Sequence, residues 1–403
     1  MQKSAQYQAA LEILEKIFEN KYPADGIINE YIRARKYIGS KDRKAIIDTV
    51  WRVVRNRMKL GFDCKSDKPR DLLLTLLKDE DFDVLCATSP YGLAPLSSEE
   101  KQMLKNLSED VYPDYVEAET PKWLFEKIGG FELAKSLNRT APADFRINCS
   151  DRDALIKDLK KEGLFFAKTP YSPIGIRSEE RINLNNCAAY NEGKTEVQDE
   201  ASQIVAIMCD VNPKQKIVDY CAGAGGKTLA LAYLLDGEGK VFAHDVNKAR
   251  LRPLPERMKR LGLCNIEIKN NIQDADFERF IVDAPCSGSG VWRRSPDAKF
   301  RLTQKQLDEL NKAQKEVLDF AAGHTAKGGE IAYITCSVLP DENEKIVEWF
   351  LLNHKDFKTI NLKERWQEKI SPKYPFVRSD MLNFSPLITN TDGFFLCIFK
   401  KTE

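Results

Sequence analysis

Apolar positions in the first hundred residues recur every three or four places, which is the period of an amphipathic helix. Three stretches carry this pattern: Ala9, Ala10, Ile13, Leu14, Ile17 and Phe18; Ile46, Ile47, Val50, Trp51, Val54 and Met58; and Leu72, Leu73, Leu76 and Leu77. We therefore expect residues 1–107 to form a helical domain. Residues 108–140 mix acidic residues with tryptophan and prolines, and predict a connector that ends in a helix.

The pattern changes at Asp144, where short β-type runs begin to alternate with helical ones. A strand over Phe145–Asn148, a helix over Asp151–Glu162 and a strand over Leu164–Ala167 follow one another closely. Strand, helix and strand of this size predict a small α+β module over residues 141–195.

Residues 196–403 alternate strand and helix throughout, which predicts an α/β domain with a mainly parallel, doubly wound sheet. The expected strands are Lys216–Tyr220, Lys240–His244, Ile266–Ile268, Arg279–Val282, Ile331–Ile334 and an added one at Phe394–Phe399. Ligands of such sheets bind outside the carboxyl ends of the strands, so the residues that follow each strand are the first candidates for chemistry.

Composition narrows the class of protein. The chain has 403 residues, 42% of them hydrophobic and 31% charged, as in an ordinary globular protein. It contains no apolar run of about 18 residues, so no membrane span is expected, and its start does not resemble a signal peptide. Ten cysteines without a Cys-x-x-Cys pair, and only three histidines, argue against disulfides and metal. We expect a cytoplasmic protein in a reducing compartment, without a metal site.

The net charge of +1 conceals an uneven distribution. Residues 31–70 carry 13 Lys/Arg against 4 Asp/Glu, whereas residues 71–120 carry 3 against 12. A local basic face of this size can contact phosphates. Arg52, Arg55 and Arg57 in the second helical stretch are candidate RNA contacts, and a merely solvated helix face is the alternative.

A glycine-rich turn follows the first strand of the α/β domain. It consists of Cys221, Ala222, Gly223, Ala224, Gly225, Gly226 and Lys227. Glycines allow a backbone to turn tightly and approach a ligand. Asp245 lies 20 residues after Gly225, at the end of the next strand, where an acid binds the ribose of a nucleoside cofactor.

Three cofactor classes compete for this turn. A phosphate-binding P-loop would need glycine where Cys221 stands, and a dinucleotide fingerprint would need glycine where Thr228 stands. S-adenosylmethionine needs the ribose acid and close backbone contact without an anion cradle, and fits best. A glycine turn without any ligand is the remaining alternative.

Two thiols and a carboxylate follow neighbouring strands of the same sheet. Asp283 and Cys286 come after one strand, and Cys336 comes after the next. Parallel strands should bring all three to one rim, where they suggest nucleophilic chemistry beside the cofactor.

A basic run follows Cys286, made up of Arg293, Arg294, Lys299 and Arg301. It predicts a phosphate-contacting loop, with a surface charge cluster as the alternative.

Three motifs resemble the bacterial Sun/Fmu group of RNA 5-methylcytosine methyltransferases, in the RsmB/NOP/NSUN superfamily. They are Asp219-x-Cys221-Ala222-Gly223-x-Gly225-Gly226-Lys227-Thr228, Asp283-Ala284-Pro285-Cys286-Ser287-Gly288, and Thr335-Cys336-Ser337-Val338-Leu339-Pro340-x-Glu342-Asn343. The match spans roughly residues 140–403, and the helical start is similar to the NusB-like RNA-binding domain of the group. Departures are Gly223-Ala224 where the group often has Ala-Pro, Glu278 for a usual Asp, and Asn271 aligned with the usual adenine-contacting acid.

The resemblance implies a Rossmann-like class I methyltransferase domain that binds S-adenosylmethionine and methylates C5 of cytosine in RNA. It implies that Cys336 is the nucleophile that adds to C6, and that Cys286 assists resolution of the adduct. We expect Asp283 to contact the base or the cofactor, and Lys227 to orient Asp283 unless it is a solvated lysine.

The expected substrate is 16S rRNA, with tRNA or 23S rRNA as alternatives for the same chemistry. A non-catalytic RNA-binding factor that keeps the fold is the alternative from another class. A monomer without a membrane partner is expected.

Overall fold

The computed structural model describes residues 1–20, 22–87, 91–180, 182–273 and 275–402. The helices are α1 Lys3–Glu19, α2 Ala24–Ala34, α3 Ser40–Arg55, α4 Arg57–Cys64, α5 Pro69–Leu76, α6 Phe82–Ala87, α7 Ser98–Lys105, α8 Asp114–Glu117, α9 Lys122–Ile128, α10 Phe131–Ser136, α11 Arg152–Lys161, α12 Ala188–Asn191, α13 Glu200–Met208, α14 Gly226–Leu234, α15 Leu254–Leu261, α16 Ala298–Arg301, α17 Gln304–His324, α18 Glu344–Asn353 and α19 Leu362–Lys369. The strands are β1 Ala143–Ile147, β2 Ala167–Lys168, β3 Gly175–Ser178, β4 Thr195–Val197, β5 Lys216–Asp219, β6 Lys240–Ala243, β7 Ile266–Ile268, β8 Phe277–Asp283, β9 Thr325–Thr335, β10 Phe357–Thr359, β11 Met381–Phe384 and β12 Phe394–Lys401.

The chain divides into two compact units. The helical unit contains Met1–Arg139 together with the inserted segment Trp292–Leu302, and the second unit contains Thr140–Val291 and Thr303–Glu403. The segment predicted as a connector, 108–140, forms the short helices α8 to α10, and its part up to Arg139 belongs to the helical unit.

The helical unit buries the apolar stripes that the sequence predicts. Ile13, Leu14 and Val50 are fully buried in one core shared by α1, α3 and α5. Trp292, the first residue of the inserted segment, is also fully buried. The predicted all-helical start is therefore confirmed.

The small α+β module has an antiparallel sheet of strand order β2-β3-β1-β4, with α11 following β1. The predicted strand Leu164–Ala167 is wrong except at its last residue, because only Ala167 and Lys168 pair with β3. Gly163, with φ of 79°, turns the chain out of α11. Phe166 then packs edge-on against Phe145, with ring centroids 5.1 Å apart, so this apolar run is used for packing and not for strand pairing.

The large sheet has the strand order β7-β6-β5-β8-β9-β12-β10, with β11 also beside β12. Strands β5 to β9 pair in parallel, and β12 runs antiparallel to β9. Alternate residues face two cores: Ile217 packs in the core that includes α13 and α14, and its neighbour Val218 packs in the core that includes α17. Helices thus cover both faces, as the sequence predicts. Within the described ranges, no helix combines the length and apolarity needed to cross a bilayer.

Candidate active site

The two thiols meet at the carboxyl ends of β8 and β9. These strands pair in parallel up to Asp283 and Ile334, so the turns that follow them leave the sheet side by side. The Sγ atoms of Cys286 and Cys336 lie 3.3 Å apart. The backbone N–H of Gly290 donates to the carbonyl oxygen of Cys336 at 3.0 Å, which ties one turn to the other.

The two cysteines are not electrostatically equivalent. The hydrogen bond with Cys336 and then burial raise the pKa of the Cys286 thiol well above its ordinary value. Cys286 therefore keeps its proton, and its S–H can donate to the Cys336 sulfur. An S–H donor at this distance would stabilise a thiolate on the neighbouring sulfur, and a thiolate is the nucleophilic form of cysteine.

A buried ion pair lies on the same rim. Lys227 lies in the first turn of α14 and is 7% exposed, and its Nζ is 2.8 Å from Oδ2 of Asp283. Burial by itself would lower the pKa of Lys227, but Asp283, with smaller contributions from Cys336 and Asp219, raises the pKa by more, and the net direction is upward. The ammonium also interacts with the Cys336 sulfur, so a full positive charge is held where thiolate charge would develop. The solvated-lysine alternative is thus wrong.

Glu342 is a functional candidate that sequence reasoning missed. It is fully buried, and its carboxylate accepts from the backbone N–H of Ser287 at 2.8 Å and from its hydroxyl at 2.5 Å. Gln314 donates to the same carboxylate at 3.1 Å and to the carbonyl of Pro285 at 2.9 Å. A buried acid with this many donors fixes the turn that carries Cys286. Its position two residues before α18 in the Thr335–Asn343 motif was the available signal.

Two glycines set the spacing between the cysteine turn and β12. A side chain on Gly290 would collide with the backbone oxygen of Gly393, and the N–H of Gly393 donates to the carbonyl of Gly290 at 2.8 Å. A Cβ at either position would push these turns apart, so both positions require glycine.

The glycine-rich turn has the geometry of a cofactor cradle. Gly223 and Gly225 have φ values of 53° and 86°, in the left-handed region that favours glycine, and a side chain on Gly225 would collide with Leu254. The Ala222 N–H donates to the His244 carbonyl at 2.8 Å, which closes the turn against the end of β6. Cys221, Ala224 and Gly226 complete this turn between β5 and α14.

Asp245 lies beside the turn, at the end of β6, where the sequence places the ribose acid. Its carboxylate accepts from the N–H groups of Gly223 at 2.9 Å and Asn247 at 2.8 Å. Arg250 pairs with it at 3.2 Å. Because its two backbone donors fix the carboxylate at the mouth of a glycine cradle, the residues fit a nucleoside cofactor. Within the described ranges, no cluster of three or more His, Cys, Asp or Glu side chains could hold a metal ion.

Asp219 is a second acid that sequence reasoning left without a role. It is fully buried at the end of β5, and its Oδ2 accepts from the Thr228 hydroxyl at 2.6 Å. Burial raises the pKa of Asp219 to about 7. The acid thus joins the base of the cradle to α14.

Asn271, the candidate adenine contact, is exposed in the loop after β7, and its role stays a prediction.

Five of the seven arginines and lysines expected to contact RNA are used inside the helical unit. Arg293 and Lys299 are buried, and Arg301 pairs with Asp297 at 3.0 Å. Arg55 donates to the carbonyls of Arg293 at 2.6 Å and Asn138 at 3.1 Å.

Arg57 stacks on Phe18 and Phe300, and burial lowers its pKa. The expectation of RNA contact therefore needs correction at Arg293 and Lys299, because buried side chains are not presented to phosphates. Arg55, Arg57 and Arg301 are half-buried and already make internal contacts, and their role in RNA binding stays a prediction. Arg52 and Arg294 are exposed and stay candidate contacts.

Residues 206–400 match the family model described as 16S rRNA methyltransferase RsmB/F. This part of the chain belongs to the RsmB/F methyltransferase family. A probable ribosomal RNA small subunit methyltransferase B from Bacillus subtilis is 26% identical over 455 residues, covering 100% of both chains. Ribosomal RNA small subunit methyltransferase B from Photorhabdus laumondii is 32% identical over 257 residues, and the match spans 59% of each chain.

Solved structures agree with this family in fold. The crystal structure of PH0851 matches with a TM-score of 0.78 at 24% identity, covering 100% of this chain and 99% of that one. NSun6 from Pyrococcus horikoshii, solved with SFG, matches with a TM-score of 0.60 at 21% identity, covering 71% of this chain and 100% of that one. The Rossmann-like methyltransferase fold expected from the sequence is confirmed.

Proposed function

We propose that this RsmB/F-family methyltransferase transfers a methyl group from S-adenosylmethionine to C5 of a cytosine in 16S rRNA. The observation that carries the proposal is the 3.3 Å approach of Cys286 and Cys336, beside the Lys227–Asp283 ion pair. Paired thiols on the rim of a nucleoside cradle suit a reaction that needs one sulfur to attack and another to assist. The names of the bacterial relatives support ribosomal RNA as the substrate.

The cofactor would be held by the turn Cys221–Lys227, with Asp245 at its ribose. Bound there, S-adenosylmethionine supplies an electrophilic methyl group on a positively charged sulfur. Arg250 pairs with the same Asp245 carboxylate that would accept from the ribose. Its side chain is 55% exposed and can move toward solvent to leave that carboxylate free. Asp283, 31% exposed and held by Lys227, would contact the cofactor or the base.

Cys336 begins the reaction because C5 of cytosine is a poor nucleophile until sulfur adds to C6. Its thiolate forms the S–C6 bond, and the displaced electron pair makes C5 nucleophilic. Lys227 and the Cys286 S–H stabilise the thiolate before this step.

Cys286 acts at the end of the reaction. After C5 has gained the methyl group, a water molecule takes the proton on C5, the C–H electron pair restores the C5–C6 double bond, and the S–C6 bond breaks. The departing sulfur of Cys336 carries the negative charge. The Cys286 thiol, which keeps its proton, is positioned to stabilise that sulfur by donating a hydrogen bond.

The test is to incubate purified protein and S-adenosylmethionine with total RNA from a strain that lacks the gene, and to map 5-methylcytosine by bisulfite sequencing. We expect a new methylated cytosine in 16S rRNA, absent with Cys336→Ala and retained with Cys264→Ala, a matched change of an exposed cysteine outside the site. A mark only in tRNA or 23S rRNA would keep the chemistry and change the substrate. No mark in any RNA would overturn the proposal.

A further inference from the structure

A cleft in the helical unit carries exposed tyrosines and arginine, and no step of the proposed reaction uses it. It has a volume of about 1000 Å³ and is lined in part by Glu12, Tyr31, Arg35, Tyr37 and Tyr91. Small-molecule and nucleotide sites occupy about 300–1,000 Å³, so the cleft can admit a nucleobase with its sugar.

Aromatic surface is presented to solvent here. Tyr37 is 73% exposed and Tyr91 is 80% exposed, although large aromatic side chains usually bury most of their area. The Arg35 guanidinium stacks on the Tyr31 ring at 3.6 Å from its centroid, which adds a flat cationic surface. Tyrosine rings and guanidinium planes are the groups on which unpaired bases stack.

The charge of the surrounding chain favours an anionic ligand. Residues 33–44, which connect α2 to α3, hold six Lys/Arg against one acid, Asp42. Arg33, Lys36, Lys41, Arg43 and Lys44 are all exposed.

The acids near the cleft are compensated. Asp42 pairs with the ammonium of Met1 at 3.0 Å, and Glu12 accepts from the Tyr31 hydroxyl at 2.7 Å and pairs with Arg35 at 3.4 Å. The cleft therefore presents stacking surfaces and Arg35, and the exposed basic side chains of residues 33–44 lie on the adjoining stretch of chain.

We infer that this cleft binds an unpaired nucleotide of the RNA substrate, with its base stacked on Tyr37 and Tyr91 and its phosphates near Arg33 and Lys36. The inference rests on the proposed function, because that function supplies the RNA. It relocates RNA contact from the end of α3, where Arg55 and Arg57 are used internally, to the connection between α2 and α3. Single-stranded RNA is the favoured form, because bases in a duplex are already stacked and cannot reach the rings.

The experiment measures binding of the full-length protein to a short labelled single-stranded RNA and to a matched duplex. We expect Tyr37→Ala with Tyr91→Ala to weaken single-strand binding by at least tenfold, since stacking contributes about 1–3 kcal/mol per base. Tyr37→Phe with Tyr91→Phe should restore most of the affinity, because the rings remain. The matched control is Tyr22→Ala, since Tyr22 is 72% exposed in the same unit but does not line the cleft.

Two outcomes overturn the inference: a double alanine variant that binds single strands within about twofold of Tyr22→Ala, or an equal loss for the duplex, which would indicate contact with charge alone. Methyl transfer separates this failure from that of the proposed function. If the wild-type protein methylates RNA and the double variant has an unchanged KM for RNA, the inference about the cleft is wrong and the proposed function stands. A raised KM with unchanged kcat supports the cleft.

Discussion

Two buried lysines, one in each unit, show how differently the same side chain can be used. Lys227 in the second unit has Asp283 in direct contact at 2.8 Å, and its pKa is raised. Lys299 in the helical unit is 1% exposed and donates to the Asn138 side chain at 2.9 Å. Burial lowers the pKa of Lys299 to about 7 against the opposing charge of Glu119, whose own pKa burial raises to about 7.

The difference teaches that burial alone does not assign a lysine to catalysis. Lys227 sits beside Cys336, the proposed nucleophile, and keeps a full charge because the Asp283 carboxylate contacts it. Lys299 and Glu119 are both desolvated, and the hydrogen bond from Lys299 to Asn138 ties the inserted segment Trp292–Leu302 to the segment Met1–Arg139. Glu119 accepts from the N–H groups of Met58 at 2.8 Å and Lys59 at 3.1 Å, so it also fixes the start of α4.

The largest expected effect comes from removing one member of the structural pair. Lys299→Ala leaves Glu119 buried without its nearby cation, and we expect the free energy of unfolding to fall by about 3–5 kcal/mol. Urea unfolding followed by circular dichroism measures this. The double variant Lys299→Met with Glu119→Gln should recover more than half of the loss, because no uncompensated charge remains. If Lys299→Ala lowers the free energy of unfolding by less than about 1 kcal/mol, Lys299 and Glu119 are not a structural pair.

Asp219 extends the comparison to an acid buried on the same edge as Lys227. Its folded-state pKa of about 7 lies above the unfolded value of 3.8, so the folded chain binds this proton more tightly. The contribution of Asp219 to stability therefore falls as pH rises from about 4 to about 7. Asp219→Asn should remove that fall, gaining up to roughly 4 kcal/mol relative to wild type across the window. Parallel pH profiles of the two proteins would contradict this assignment.

Lys227→Met tests whether the buried lysine of the second unit takes part in catalysis. We expect the single-turnover rate of methyl transfer to fall about a hundredfold, as when one preorganised charge-stabilising donor is removed. Lys299→Met with Glu119→Gln serves as the matched control, because it changes a buried lysine and should keep the rate per folded molecule. Equal rate losses in the two proteins would mean that Lys227 is structural.

The smallest effects are expected from the two exposed arginines. Arg52→Gln and Arg294→Gln should each reduce the salt slope of RNA binding by about 0.7–0.9, the value for one phosphate contact. Arg57→Gln should lower stability instead and leave the slope unchanged, because Arg57 packs on two phenylalanine rings. A slope change for Arg57 alone would reverse this assignment.

The site was largely predictable because strand ends in a parallel sheet follow a geometric rule. Asp283, Cys286 and Cys336 each follow a β-rich run, and the rule that ligands bind at those ends places them together. Lys227 and Asp245 follow from the same rule. The role of Glu342 could not be predicted, because it depends on donors from Ser287 and Gln314. These two residues are distant from each other in sequence and come together only in the folded unit.

The charged residues after Cys286 were less predictable for a physical reason. A run of arginine and lysine has the same pattern whether it faces solvent or is matched by buried carbonyls and acids. Arg293 and Lys299 are buried in the helical unit, whose other residues lie more than 150 positions earlier. The prediction of a strand over Leu164–Ala167 was wrong for a similar reason, because local β-propensity does not show whether a partner strand is available.

The most direct test of the account is a covalent adduct between the protein and RNA on a denaturing gel. Cys286→Ala should trap an adduct through Cys336, because sulfur can add to C6 but its departure is no longer assisted. Cys336→Ala and the Cys286→Ala/Cys336→Ala double variant should form none, and Cys264→Ala should behave as wild type. An adduct that persists without Cys336, or full turnover without Cys286, would contradict the assignment of the two thiols.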